Sequence, residues 1–357
     1  MKIIITGGHL SPALALIDQL REKKRMQIVY IGKKFNLESE KSLSLEYREI
    51  KKRNLTFYHL NTARLTRFFS INNVIGLIKL PTGLIKSFYI LKKEKPDMIF
   101  LFGGYISLPL AISGFLLNIP IYIHEQTINP GLANRIAGLF ARKVFISFPQ
   151  TATFFPKKKV ILTGNLIRKE VFKVIKKPFI VKKTKPVIYV TGGSLGSHSI
   201  NILIEKILPQ LLKKYIIIHQ IGNVREYNDY NRLKKYQCDS YHPVEHFFLE
   251  EVGYIYQTAD LVIGRAGANT FFELLLLKKP ALLIPLPWSA GQEQQKHAQL
   301  FKEWKLGEIY NQNEKEESLL NLIDTMIKNI DLYQGNFSRL KIRLPLNAAE
   351  KIIQEIS

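Results

Sequence analysis

Three features of the sequence predict an α/β protein with two Rossmann-like parallel-sheet domains facing across a cleft. Apolar runs of strand length alternate with helical patterns from end to end, the pattern of parallel strands covered by helices on both faces. A Gly turn that closes the first strand, Ile5-Thr6-Gly7-Gly8, returns 185 positions later as Val190-Thr191-Gly192-Gly193-Ser194, about half the chain away. A length of 357 residues suits two such domains.

The first half holds apolar runs at Lys2 to Ile5, Gln27 to Ile31, Asp97 to Phe102, Ile121 to Ile123 and Val144 to Ile146. Only Ile3-Ile4-Ile5 lies between Met1-Lys2 and Thr6-Gly7-Gly8, too short for a signal segment, so the chain is expected to start folded in the cytoplasm. Met98 to Ile123 carries no charge and is long enough to span a bilayer. Gly103-Gly104, Pro109, Asn118 and Pro120 instead divide it into a strand, a turn, a helix over Leu108 to Leu117 and a second strand. Eleven basic residues against Glu170 alone mark Lys157 to Lys185 as a linker region with a short strand or two. The second half follows with Val187 to Thr191, Tyr215 to Ile221, Asp260 to Ile263 and Ala281 to Pro285. The crevice between such domains is where ligands are expected.

Composition bounds the chemistry. At 46% hydrophobic and 23% charged residues the chain is globular, not disordered, collagenous or coiled-coil. A single cysteine, Cys238, excludes an internal disulfide and a thiolate metal cluster. Lys and Arg number 52 against 29 Asp and Glu, a formal charge of +23. The 38 Lys to 14 Arg reflect in large part the drift of an AT-rich genome; an anionic partner, nucleic acid or an acidic membrane, is the functional reading.

Gly7-Gly8-His9 precedes a helix start at Pro12 to Leu16, where free amides attract phosphate. The loop Gly192-Gly193-Ser194-Leu195-Gly196-Ser197 has the same placement and suits a diphosphate, but its glycines miss the GxGxxG spacing and no Walker lysine follows. Arg265 to Glu273 follows the run at Asp260 to Ile263, with Gly267 to Thr270 expected to start a helix. Glu273 then either accepts from a ribose diol or, since Thr270 and Glu273 have capping-box spacing, merely caps the helix; spacing alone favours the cap. His242 and His246 straddle Pro243 and read as surface residues. No metal-ligand cluster or nucleophile elbow stands out.

These blocks together resemble the MurG glycosyltransferases. The resemblance rests on Gly7-Gly8-His9 with Pro12 to Ala15; on Gly103-Gly104-Tyr105 through Pro109, His124-Glu125-Gln126, Pro130-Gly131 and Asn134; on Gly164-Asn165, Arg168, Gly192-Gly193-Ser194 and Gly196; and on Arg265 to Glu273 with Gln294 and Ala298. It implies a GT-B fold: an acceptor- and membrane-facing domain over 1–160, a UDP-sugar domain over 161–342, and a C-terminal helix, 343–357, packing back on the first. It further implies an inverting, metal-independent transfer of GlcNAc from UDP-GlcNAc to the 4-hydroxyl of lipid I, giving lipid II, with no cofactor. His9 is the implied base and Glu125 the second candidate. Gly7, Gly8, Gly104, Tyr105, Asn134 and Arg168 are implied around the acceptor and cleft. On the donor side Gly193, Ser194, Gly196, Arg265, Gly267, Ala268 and Thr270 are implied, with Glu273 on the ribose, Phe248-Leu249 at the uracil edge and Gln294 on the GlcNAc hydroxyls. The first loop is shorter than the family's Gly-Gly-x-Gly-Gly-His, implying a shorter acceptor-diphosphate pocket. Thr127, Leu195 and His198 stand where Asn, Gln and Arg are usual.

The implied partners are UDP-GlcNAc, lipid I, the anionic inner leaflet and proteins of cell-wall synthesis and division, with the chain peripheral on the cytoplasmic face. Residues Leu65 to Lys95, with Phe68, Phe69, Ile75, Ile78, Ile85 and Phe88 among Arg67, Lys79, Lys86 and Lys92, supply an apolar surface ringed by base. The rival readings are a transferase for another lipid, a UDP-sugar 2-epimerase and a nucleic-acid binder; the last lacks stacking motifs.

Overall fold

A computed structural model describes residues 1–23, 26–35, 43–62, 71–193, 195–222, 226–340, 345 and 347–357, with the backbone alone for 23, 71–80 and 290. The chain divides into two compact units, Met1–Leu166 with Arg343–Ser357, and Ile167–Ile342. The first holds β1 (Lys2–Thr6), β2 (Gln27–Gly32), β3 (Thr56–His59), β4 (Met98–Leu101), β5 (Ile121–Glu125), β6 (Lys143–Ile146) and β7 (Val160–Leu162). All pair in parallel, in the order β3-β2-β1-β4-β5-β6-β7. The division falls after Leu166, rather than at 160, because β7 completes this sheet and Leu166 is buried in its core.

The second unit holds β8 (Val187–Thr191), β9 (Ile216–Gln220), β10 (Tyr241–Val244), β11 (Leu261–Gly264), β12 (Ala281–Leu283) and β13 (Gly307–Ile309). These are also parallel, in the order β10-β9-β8-β11-β12-β13. Each unit therefore reverses direction beside its first strand, at β1/β4 and at β8/β11. Loops leaving the carboxyl ends of the strands diverge there and open a crevice.

The strands missing from the apolar runs are sheet edges. β3, β10 and β13 are not announced, and β7 is the short strand expected within the basic linker; these four end the two sheets. Edge strands face solvent along one side and lose the continuous apolar run of a buried parallel strand. β3 and β7 contain no buried residue, whereas β5 and β8 are buried throughout. Pro243 sits in β10, where an edge tolerates its missing N–H. The uncharged stretch from Met98 folds as β4, the helix Ser107–Leu116 and β5.

Successive residues of β1 point to opposite faces, so Ile3 and Ile5 join one core and Ile4 the other. The first of these cores is closed by the C-terminal helix Ala348–Ile356, which buries Ile352, Ile353 and Ile356 beside Leu14, Ile17 and Leu20 of the helix Leu10–Lys23. In the second unit the helix His198–Lys214 buries Ile200, Ile204 and Leu208 against Ile188 and Val190.

Three histidines are buried and neutral. Burial holds His124 at about 4, His219 at about 3 and His297 at about 4. His219 lies 3.0 Å from the Tyr241 hydroxyl and 3.1 Å from Asn201 Oδ1. The unfolded chain titrates these rings near 6.5 and so binds protons that the folded chain refuses below that value. Stability is thus complete above 6.5 and lost as pH falls toward 4, by about 1 kcal/mol per pH unit for each ring. Urea midpoints followed from pH 7 to pH 4.5 are expected to fall in both units; a flat profile would mean the rings protonate in place.

Candidate functional site

In the first unit the crevice is lined by the turns after β1, β4 and β5. The β1 turn carries Gly7-Gly8-His9 and the β4 turn carries Gly103-Gly104-Tyr105. They meet through backbone: Gly8 has φ +127°, and a Cβ there would lie 2.3 Å from the Gly103 carbonyl oxygen. Only glycine permits that backbone and that approach. His9 follows, exposed at the start of the helix Leu10–Lys23. Although the ring reaches solvent, the protein packed around it desolvates it enough to hold its pKa below the ordinary 6.5, with the Glu125 carboxylate opposing that shift only in part.

Glu125 is buried at the end of β5, and both of its oxygens are occupied. Oε1 accepts from the Thr127 N–H (3.0 Å) and hydroxyl (2.7 Å), and Oε2 accepts from Asn134 Nδ2 at 2.7 Å. Thr127 thereby supplies two donors from a position where the resembled family uses Asn. Asn134 is buried against Glu125, so its side chain holds the acid in place. Tyr105 is half-buried, with Lys33 Nζ 5.5 Å from its ring centre. Beneath the β1 turn, Glu46 accepts from the Tyr30 hydroxyl (2.6 Å) and the Lys33 N–H (2.8 Å).

In the second unit the β8 and β11 turns form the corresponding crevice. Gly193 donates its N–H to Thr191 Oγ1 (3.0 Å), while its carbonyl accepts from Gln220 Nε2 (2.8 Å). Gly196 has φ +79°, and a Cβ there would stand 2.0 Å from the Ile221 carbonyl oxygen. Ser194 lies outside the described residues. Leu195 is exposed, and His198 Nδ1 lies 2.9 Å from the Asp229 carboxylate with its ring stacked on Tyr227.

Arg265 is the principal charge here, 8% exposed at the end of β11. Its guanidinium donates to Ser197 Oγ (2.8 Å), Ser199 Oγ (2.6 Å), Gln312 Oε1 (3.2 Å) and the Ile284 carbonyl (2.9 Å). Every one of these acceptors is neutral, and among the described residues no carboxylate pairs with it. Burial pulls its pKa down to about 10. Gly267 then caps the helix Ala268–Leu276, with Thr270 in its first turn, and the free first-turn amides of a helix add positive potential.

Glu273 does not cap this helix, which corrects the reading that spacing favours. The helix starts at Ala268, so Glu273 lies in the second turn and accepts from the Tyr256 hydroxyl at 2.9 Å. Burial raises its pKa, opposed by that hydrogen bond and by the charge of Arg168. Phe248 is exposed immediately before the helix Leu249–Thr258, with its N–H donated to Glu251. Gln294 is half-buried and accepts the Leu286 N–H at 3.0 Å. His246 is exposed as expected, but His242 is half-buried, its ring 4.6 Å from that of Phe179.

Glu46, Gln220, Ser199 and Gln312 escape the sequence reading. Gln220 stands 27 positions from Gly193, and Gln312 stands 47 from Arg265. No local pattern marks such partners, since the order of strands in the sheet brings them together.

Two family models match the chain: the glycosyltransferase family 28 N-terminal domain over residues 3–146 and its C-terminal domain over residues 187–354. A Bacillus cereus protein named UDP-N-acetylglucosamine–N-acetylmuramyl-(pentapeptide) pyrophosphoryl-undecaprenol N-acetylglucosamine transferase 2 is 34% identical, covering 100% of this chain and 99% of that protein. A Clostridium perfringens protein named as such a transferase is 36% identical over 99% of this chain and 98% of its own. Among solved structures, Acinetobacter baumannii MurG matches with TM-score 0.72 at 24% identity, covering 100% of this chain and 99% of that one. A Neisseria meningitidis UDP-GlcNAc 2-epimerase matches with TM-score 0.66 at 14% identity, covering 100% and 99%. At these identities both structures speak for the fold alone.

Proposed function

The chain belongs to glycosyltransferase family 28, among the UDP-N-acetylglucosamine–N-acetylmuramyl-(pentapeptide) pyrophosphoryl-undecaprenol N-acetylglucosamine transferases, and from that premise we infer its reaction and the residues that perform it. It is a GT-B enzyme of peptidoglycan synthesis that transfers GlcNAc from UDP-GlcNAc to lipid I and gives lipid II. The observation that carries this is identity of 34% and more along the full length of both chains. The epimerase shares the fold at 14% identity, whereas the full-length relatives at 34% and 36% identity are named as the transferase.

In the proposed mechanism the acceptor 4-hydroxyl loses its proton to His9 and attacks C1 of GlcNAc, with inversion. The bond from C1 to the diphosphate oxygen breaks, and UDP leaves. Glu125, fully engaged by Thr127 and Asn134, stabilises the imidazolium and is a positioning residue, not the base. Arg265, the Gly192 to Gly196 loop and the helix start at Ala268 hold the leaving diphosphate. Phe248 and Leu249 border the uracil, and Gln294 meets the GlcNAc hydroxyls. Incubation with labelled UDP-GlcNAc and a short-chain lipid I analogue, followed by product mass, is expected to show the disaccharide; UDP binding without transfer would point to a different acceptor.

Glu273 is assigned to the ribose diol. Glu273→Ala is expected to weaken UDP binding about tenfold or more, as loss of a hydrogen bond to a charged group does. Unchanged affinity in calorimetry would reduce Glu273 to a brace for Tyr256.

Peripheral membrane binding is proposed for the first unit. No helix of the described residues is long and apolar enough to cross a membrane. Ile85 and Tyr89, Phe115 and Leu116, and Leu139 are exposed on the neighbouring helices Ile71–Glu94, Ser107–Leu116 and Leu132–Phe140, with exposed Lys86 and Lys92 close by in sequence. An apolar face rimmed by lysine lies on anionic lipid. The part of the expected patch from Leu65 to Ser70 lies outside the described residues, as do the side chains from Ile71 to Leu80.

A further inference from the structure

We propose that the basic segment Lys169 to Lys185 is a second membrane-contact element, placed on the sugar-nucleotide unit, that inserts Phe172, Ile175 and Ile180 among anionic lipid headgroups. It rests on the reading that the acceptor is lipid-linked.

Anchored residues alternate along the segment with exposed ones. Val171 is buried, and Phe179 stacks on His242. The Lys176 N–H donates to the Glu250 carbonyl at 2.9 Å, and the Val181 N–H donates to the Tyr254 hydroxyl at 3.2 Å. Gly253 lets the helix Leu249–Thr258 approach so closely that a Cβ there would stand 2.0 Å from the Lys173 carbonyl oxygen. With these residues facing inward, Phe172, Val174, Ile175 and Ile180 face water, and Ile180 is 80% exposed. A bulky aliphatic side chain held so far into water by a pinned backbone gains free energy by moving into lipid.

Charge selects the occupant. Seven lysines and one acid, Glu170, lie between 169 and 185. Lys176 and Lys183 pair with Glu251 and Asp260, while Lys173 and Lys182 are exposed and form no ion pair among the described residues. The apolar side chains are separated by lysines instead of joined into one groove. That arrangement suits a fluid anionic surface better than a shaped protein pocket.

The test places an environment-sensitive fluorophore, NBD, on a cysteine in the full chain. In Ile180→Cys with Cys238→Ser, phosphatidylglycerol vesicles are expected to raise NBD emission several-fold and phosphatidylcholine vesicles to leave it unchanged. The exposed native Cys238, labelled in the unaltered chain, is expected to stay dark. Lys173→Gln with Lys182→Gln should lower vesicle affinity about thirtyfold. The proposal is overturned if position 180 keeps its aqueous emission while the chain floats with the vesicles, which would leave binding to the first unit or assign the segment to a protein partner. Transfer to a water-soluble acceptor, measured on the same sample, separates that failure from failure of the transferase reading.

Discussion

His9→Ala is expected to lower turnover by about 10²- to 10⁴-fold, the usual contribution of a general base, while UDP-GlcNAc affinity stays as it was. The separation follows from the two-unit construction, because His9 belongs to the first sheet and the donor residues belong to the second. Neutral imidazole is the active form, and the His9 pKa lies below 6.5 because desolvation outweighs the attraction of Glu125. His9 is therefore unprotonated at pH 7, and turnover should fall only on an acid limb lying below that value. The alanine variant should lack that limb altogether. A variant that keeps both its rate and its acid limb removes His9 from the chemistry and returns the question to Glu125.

Arg265→Leu is expected to weaken UDP binding by about 10²-fold, as loss of charge-assisted hydrogen bonds to a diphosphate predicts, without unfolding the unit. A buried cation surrounded only by neutral oxygens is costly to the free protein. Its removal spares that cost, and the Ser197 and Ser199 hydroxyls, 3.3 Å apart, can bond to each other. Affinity and stability should thus separate: calorimetry shows the loss and the thermal midpoint barely moves. Intact affinity with a large drop in midpoint would instead make Arg265 a structural strut tying β11 to the loop after β8.

Much of this was legible in the order of residues. Central strands of a parallel sheet are buried on both faces, so Ile3-Ile4-Ile5 and Val187 to Thr191 show as unbroken apolar runs, and the Gly turns that follow mark the crevices. Edge strands such as Thr56–His59 and Gly307–Ile309 lose that run because one side meets water. The Thr270/Glu273 spacing favoured a cap, but the helix begins two residues before Thr270, and sequence spacing carries no information on which residue starts it.

The two α/β units, the family, and the loops that carry His9, Arg265 and Glu273 are all written in local patterns of burial, glycine and charge along the chain. Which loops meet is set instead by the order of strands in each folded sheet. β2 and β3 lie on one side of β1 while β4 lies on the other, so His9 shares a crevice with Gly103, nearly a hundred residues away. In the same way, the crossover to β11 sets Arg265 beside Ser197 and Ser199. Parallel strands require long crossovers, so residues joined at a switch point are remote in sequence. Glu125 acts on His9 from 116 residues away, although its own hydrogen-bond partners, Thr127 and Asn134, are close to it in the sequence.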